Sequence, residues 1–213
     1  MLFLKVRWFN FKDLVKTIAL FWFSSPRFAC IDFTLLFSYF FKSPYAIVRA
    51  FTQGLEPYGE TPLVVMQQIA KKAMITKNDT VFELGSGRGR TCFWLSVLVG
   101  CKTVGVEIVP VFVQKAEGIR RYYGLQNLEF RLQDMLETDL SEASVIYLFG
   151  TCLSDENINR FIDKLKSVKR GTRIVTISYA LTEYKNVPYI QLKESFEVEF
   201  PWGKTQSFLH EKV

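Results

Sequence analysis

Two carboxylates and three glycines set the chemistry this chain can do. Residues 80–90 read Thr-Val-Phe-Glu-Leu-Gly-Ser-Gly-Arg-Gly-Arg: an apolar run carrying Glu83, then Gly85, Gly87 and Gly89. A second apolar run, Thr103-Val-Gly-Val-Glu107, follows and also ends in an acid. Glycine in such a turn lets backbone approach a ligand where any Cβ would collide. An ionised carboxylate at a strand end, as Glu107 would be, can accept both hydroxyls of a ribose. Together they describe a nucleotide-type site at the carboxyl ends of a parallel sheet.

The spacing narrows the ligand. A dinucleotide fingerprint needs a glycine at its sixth position, so that a helix amino end can meet a pyrophosphate, and Arg90 stands there instead. No Lys-Ser/Thr follows the loop, which excludes a P-loop. Gly-x-Gly-x-Gly with an acid two residues before it is the pattern that binds S-adenosylmethionine, a cofactor without phosphate. The amino group at its methionine end could be held by Glu83, directly or through water. A ligand-free tight turn would explain the glycines but not both acids in register.

The elements that must position these residues are legible from periodicity. Strands are predicted at Thr80–Leu84, Thr103–Glu107, Asn127–Leu132, Ser144–Phe149 and Thr172–Tyr179. Helices fall between them at Arg90–Val99, at Val111–Tyr123 (closed by Gly124) and at Asp155–Val168 (capped by Ser154). Pro62 opens a helix whose stripe is Leu63, Met66, Ile69, Ala70 and Ala73. Ser195–Phe200 and Thr205–His210 alternate around Pro201-Trp-Gly203 and read as two closing antiparallel strands. The expected fold is α/β, a Rossmann-like seven-stranded sheet with an N-terminal helical extension. Its crevice lies outside the first and fourth strands, where Glu83, Glu107, Asp134 and Phe149-Gly150 should converge. Asp134 is there placed to accept a hydrogen bond from an adenine amino group, or to cap a helix.

The chain has 213 residues, a net charge of +6 and a pI near 9.1. That length suits one α/β domain, 55–213, behind an extension, 1–54. The charge is compatible with acidic partners but demands none, and nucleic acid is not required. The modest basic cluster from Lys164 to Arg173 reads as a solvated helix face. Cys30, Cys92, Cys101 and Cys152 have no metal spacing, so no metal is expected, and free thiols suit a cytoplasmic location. The first fifty residues are rich in Phe, Trp, Leu and Ile, yet their uncharged runs (17–26 and 33–41) are too short to span a bilayer. Pro44–Phe51 reads as a short helix and 53–60 as a loop. Two or three amphipathic helices packed on the domain are expected; peripheral membrane contact through residues 1–50 is the alternative.

Tyr58-Gly-Glu-Thr61, Val81-Phe-Glu-Leu-Gly-Ser-Gly87 and Gly105-Val-Glu107 together resemble the non-SET histone-lysine methyltransferases of the disruptor-of-telomeric-silencing family, within the class I methyltransferases. The likeness continues through Ser144-Val-Ile146, Gly171-Thr-Arg-Ile-Val175 and Trp202…Phe208-Leu-His210, covering roughly residues 55–213. It implies that Tyr58, Glu60 and Thr61 close over the methionine end of S-adenosylmethionine, with Glu83, Gly85 and Gly87 lining that end. It further implies that Glu107 takes the ribose, and Asp134 with Met135 the adenine. Three positions depart from the family: Glu83 for an Asp, Arg90 for a Gln, and Phe149 for an Asn near the methyl-transfer channel.

Methyl transfer from a sulfonium is an in-line displacement in which positioning supplies most of the acceleration. No acid–base pair is evident, and His210, the one histidine, is expected to be structural. Tyr58, Tyr147, Phe149, Trp202 and Phe208 could wall an aromatic channel, or could be core. A protein-lysine methyltransferase is the first reading. A small-molecule, lipid or quinone methyltransferase is the second, and a non-catalytic interaction module the third. An amino-methyltransferase of nucleic acid fits less, since Leu148-Phe-Gly-Thr151 replaces an Asn/Asp-Pro-Pro-Tyr/Phe clamp. Glu107→Ala is expected to remove cofactor binding with little loss of fold.

Overall fold

The computed structural model describes residues 2–52 and 58–213. The predicted loop at 53–60 and the boundary at residue 54 therefore lie largely outside the described residues. Seven strands form one sheet: β1 (Thr80–Leu84), β2 (Lys102–Glu107), β3 (Leu128–Leu132), β4 (Val145–Leu148), β5 (Arg173–Ile177), β6 (Ile190–Phe200) and β7 (Gly203–Lys212). Their order is β3-β2-β1-β4-β5-β7-β6. The first five pair in parallel, whereas β7 runs antiparallel to both β5 and β6. Strand order reverses between β1 and β4, which opens the crevice expected there. The two closing strands are longer than the alternation around Pro201 suggests, because their ladder continues away from the hairpin turn to Ile190 opposite Lys212.

Helices cover both faces. α1 (Leu2–Thr17) continues through a wider turn at Ile18–Trp22 before α2 (Pro26–Ser38) and α3 (Pro44–Phe51). Ser25 and Ser43 cap α2 and α3 by accepting from backbone N–H groups three residues on. α4 (Leu63–Lys72), α5 (Arg90–Trp94, prolonged by a wide turn to Val99) and α6 (Pro110–Tyr122) lie on the same side. α7 (Asp155–Lys164), capped by Ser154, and α8 (Leu181–Tyr184) pack on the other. The sequence pattern gives no sign of α8, a single turn seated by Leu181.

The N-terminal helices are built into the domain. Phe21, Phe28, Ile31 and Leu35 are buried in one core with Ile69, Phe93 and Phe112. Phe21 meets the Trp94 ring edge-on at 5.6 Å. Burying each such side chain contributes about 1.5–3 kcal/mol, so this extension belongs to the folding unit.

Gly105, in the middle of β2, has a spatial rather than a conformational reason. A Cβ there would lie 2.7 Å from the Phe130 ring and 2.9 Å from Ser86 Oγ. Gly105→Ala is expected to destabilise the protein by about 1–3 kcal/mol through overpacking, read as a lower urea midpoint with unchanged slope.

Candidate active site

The β1–α5 turn is made by residues no other side chain would replace cheaply. Gly85, Gly87 and Gly89 all have positive φ, the region that a Cβ disfavours. The turn is pinned by Glu107 at the end of β2. Its Oε2 accepts from Gly87 N at 2.7 Å, and its Oε1 accepts from Ile108 N and Val109 N, each at 2.9 Å. Glu107 thus shapes the loop as well as offering an acid at the strand end.

Glu83 lies beneath the turn, 5% exposed. Its carboxyl accepts from Thr91 Oγ1 at 2.5 Å and from the Cys92 thiol at 3.0 Å. Burial pushes its pKa up to about 7, and the two donors only partly oppose this. The native state therefore favours the neutral acid, and stability from that preference is complete below about pH 4.5 and lost as pH rises through about 7. Glu83→Gln is expected to be more stable than the parent at pH 8, by up to about 3 kcal/mol. The two should converge at pH 4, with urea midpoints at both pH values as the measurement.

Tyr58, Glu60 and Thr61 close over the turn. Tyr58 Oη donates to Glu60 Oε1 at 2.5 Å, and Arg88 Nη2 donates to Glu60 Oε2 at 2.6 Å. A Cβ on Gly87 would come within 3.0 Å of Tyr58 Oη, so the tyrosine roofs the glycine. Thr61 Oγ1 shares a 2.5 Å hydrogen bond with Tyr147 Oη. Tyr58, Glu60, Thr61, Glu83, Gly85 and Phe149 line a single cavity of about 20 Å³.

The other expected residues are placed unequally. Met135 comes to the turn, its Cε 3.8 Å from the position a Cβ on Gly85 would take. Asp134 is exposed and accepts from Leu136 N at 2.8 Å, so its carboxylate closes its own turn. Tyr147 is fully buried and belongs to the core rather than to a channel wall. Phe149, Phe200 and Trp202 form one stack, with centroids 4.7–5.8 Å apart. Phe208 does not join them. Its neighbour Leu209 faces their side of the sheet, and alternation along β7 turns Phe208 to the other. His210, on the same face as Phe208, accepts from Leu181 N at 3.1 Å and is buried, which holds α8 in place. Burial lowers its pKa to about 4.

Two arginines escape a reading of the sequence. Arg88 fills the space between Glu60 and the Tyr39 ring, 5.8 Å from its centroid. Arg90 makes a bidentate pair with Asp32 of α2, at 2.7 and 2.8 Å, while Trp22 Nε1 donates to the same carboxylate at 3.0 Å. Asp13 stands 3.8 Å from Arg90. Burial alone would weaken the charge on Arg90, but the bond to Asp32 outweighs it and raises its pKa. The signal available in sequence was a lone acid inside an aromatic helix, which must pair if buried.

The residues fit S-adenosylmethionine. The backbone is bare where a ligand must come close, an acid ends β2, a second acid lies under the turn, and Ser86 Oγ is buried in the cavity wall without a protein partner. Among the described residues, no group of three His, Cys, Asp or Glu side chains gathers to hold a metal. The family model of the ANTKMT methyltransferase domain matches residues 83–188. A histone H3 lysine-79-specific methyltransferase of Dictyostelium discoideum is 24% identical over 76% of the chain, which spans only 9% of that protein. A protein-lysine N-methyltransferase of Saccharolobus islandicus is 26% identical, over 65% of the chain and 86% of its own length. The crystal structure of a Salinibacter ruber RNA methyltransferase in complex with S-adenosyl-L-homocysteine superposes with a TM-score of 0.56 and 26% identity, covering 70% of this chain and 92% of that one. Strand order, glycine turn and relatives agree: the chain is a class I S-adenosylmethionine-dependent methyltransferase.

Proposed function

We propose that the methyl acceptor is the ε-amino group of a protein lysine. The observation that carries this reading is the aromatic stack at the mouth of the site. Phe149 lines the cavity with Tyr58 and Glu83, and a Cβ on Gly59 would lie 2.8 Å from its ring. Phe200 and Trp202 continue the stack into a groove of about 500 Å³ between α1, α4 and the β6–β7 turn. Asp13 and Glu199 bring negative charge to that groove, and Lys12 and Lys16 positive charge. The similarity to the Saccharolobus enzyme supports the same acceptor class.

When bound, the cofactor supplies a methyl group on a sulfonium, a leaving group that needs no acid. The protein must then present a neutral amine in line with it. Deprotonating a lysine of pKa near 10.4 costs about 4.6 kcal/mol at pH 7. Apolar rings around the amine disfavour the ammonium form and reduce that cost. In this reading Glu83, under the turn, would hold the cofactor's amino group, and Tyr58 and Glu60 would close the loop across it.

Tritium transfer from labelled S-adenosylmethionine into host-cell protein, lipid and small-molecule fractions tests the reading. Label in protein, recovered by mass spectrometry as methylated lysine, is the expected result. Label confined to lipids or small metabolites would overturn it.

A further inference from the structure

An aromatic ladder along α2 is left exposed among the described residues. Phe33 and Phe37, with Phe40 and Phe41 just past the helix end, are 60, 62, 74 and 94% exposed. Phe33, Phe37 and Phe40 stack in sequence, with centroids 6.3 and 6.2 Å apart, and Phe41 meets Phe40 edge-on at 5.3 Å. The opposite stripe of the same helix (Phe28, Ile31, Leu35) is fully buried. Thus α2 is apolar on two faces, and packing satisfies one of them. Isolated exposed rings need no explanation, but a contiguous strip of four marks a binding surface.

Charge identifies what the strip meets. Residues 1–52 contain seven Lys and Arg against two acids, Asp13 and Asp32. Both acids pair with Arg90, while Lys42, directly after Phe41, and Arg49 are exposed. The outward side of this region is therefore aromatic and basic. Rings of this kind settle at the headgroup level of a bilayer, and basic side chains beside them are drawn to anionic lipid. No helix among the described residues is long and apolar enough to cross a membrane, so the contact is with the surface. A second copy fits less well, because two basic rims on chains of net charge +6 would repel.

We propose that the Phe33–Phe41 ladder docks the enzyme on an anionic lipid surface. The rings enter the boundary between headgroups and acyl chains, and Lys42 and Arg49 meet lipid phosphates. Tyr39 lies between these rings in sequence and turns inward to Arg88 at the cofactor loop. Docking therefore brings the site close to the membrane plane, whatever its acceptor.

Co-sedimentation of the full chain with phosphatidylcholine vesicles, with and without phosphatidylglycerol, tests this. Binding that needs phosphatidylglycerol and weakens with added salt is expected. Replacing all four phenylalanines by serine should weaken it by about tenfold or more, while cofactor affinity by calorimetry stays unchanged. Should that variant fail to fold, Phe41→Trp gives a second readout: fluorescence gained over the parent's four tryptophans should shift to the blue on anionic vesicles. Absence of vesicle binding, equal binding by the serine variant, or no spectral shift would each overturn the proposal. So would a concentration-dependent dimer that the serine substitutions convert to monomer, which would give the ladder to a second copy.

Discussion

Asp32→Ala should be the most destabilising single substitution among the site's supporting residues, at about 3–5 kcal/mol. The Asp32 carboxylate is wholly buried and takes three donors, two from Arg90 and one from Trp22. Removing it strands a guanidinium whose side chain is only 11% exposed, with Asp13 at 3.8 Å as the nearest remaining acid. For a chain of this size each kcal/mol lowers Tm by about 2–4 °C, so a loss near 10 °C is expected by calorimetry. A double replacement by apolar residues, Asp32→Leu with Arg90→Leu, should recover much of the loss, because it removes the stranded charge along with the pair. If Asp32→Ala alone changes Tm by less than about 2 °C, the pair is not a structural tie. The consequence reaches the chemistry, since Arg90 opens α5 directly after the glycine turn. Cofactor affinity of the folded Asp32→Ala protein should fall even though Asp32 lines no part of the cavity.

This tie shows where sequence reading stops. The central strands were visible because their residues must be apolar on two faces, as Val145–Leu148 are, and the edge strand Leu128–Leu132 because it alternates. The glycine turn was visible because its backbone angles admit few residue types. Tyr58, Glu60, Thr61, Glu83 and Gly85 share the expected cavity, yet Asp134 points back into its own turn and Phe208 to the far side of the sheet. Those two placements have local causes, an Asx turn and the pleat of β7. The pairing of Arg90 with Asp32, 58 positions apart, depends on how α2 lies against α5. No spacing rule encodes such a contact. Nor did the aromatic content of the first fifty residues divide itself into buried Phe28 and exposed Phe33. Only the helix's orientation does that.

Glu107 carries the largest expected effect on cofactor binding, and the structure changes how it must be tested. Alanine was expected to remove binding with little loss of fold. With Gly87, Ile108 and Val109 all donating to this carboxylate, alanine leaves three backbone N–H groups without that acceptor. Each such group costs about 1–3 kcal/mol when buried. Weak binding by the alanine variant would then not be separable from partial unfolding. Glu107→Gln keeps the volume and one acceptor oxygen while removing the charge. Hydrogen bonds to a charged group contribute about 1.5–3 kcal/mol each, and a ribose offers two hydroxyls. Cofactor Kd is therefore expected to rise about 100-fold or more by calorimetry, at temperatures where denaturation curves show the variant fully folded. The glutamine amide must face at least one of the three N–H donors, so a stability loss of about 1–3 kcal/mol should accompany it. The two effects separate by competition with free adenine, which carries no ribose. If Glu107 acts on the ribose, adenine affinity should be nearly equal in parent and variant. A matching loss for both ligands would instead assign Glu107 to shaping the loop alone.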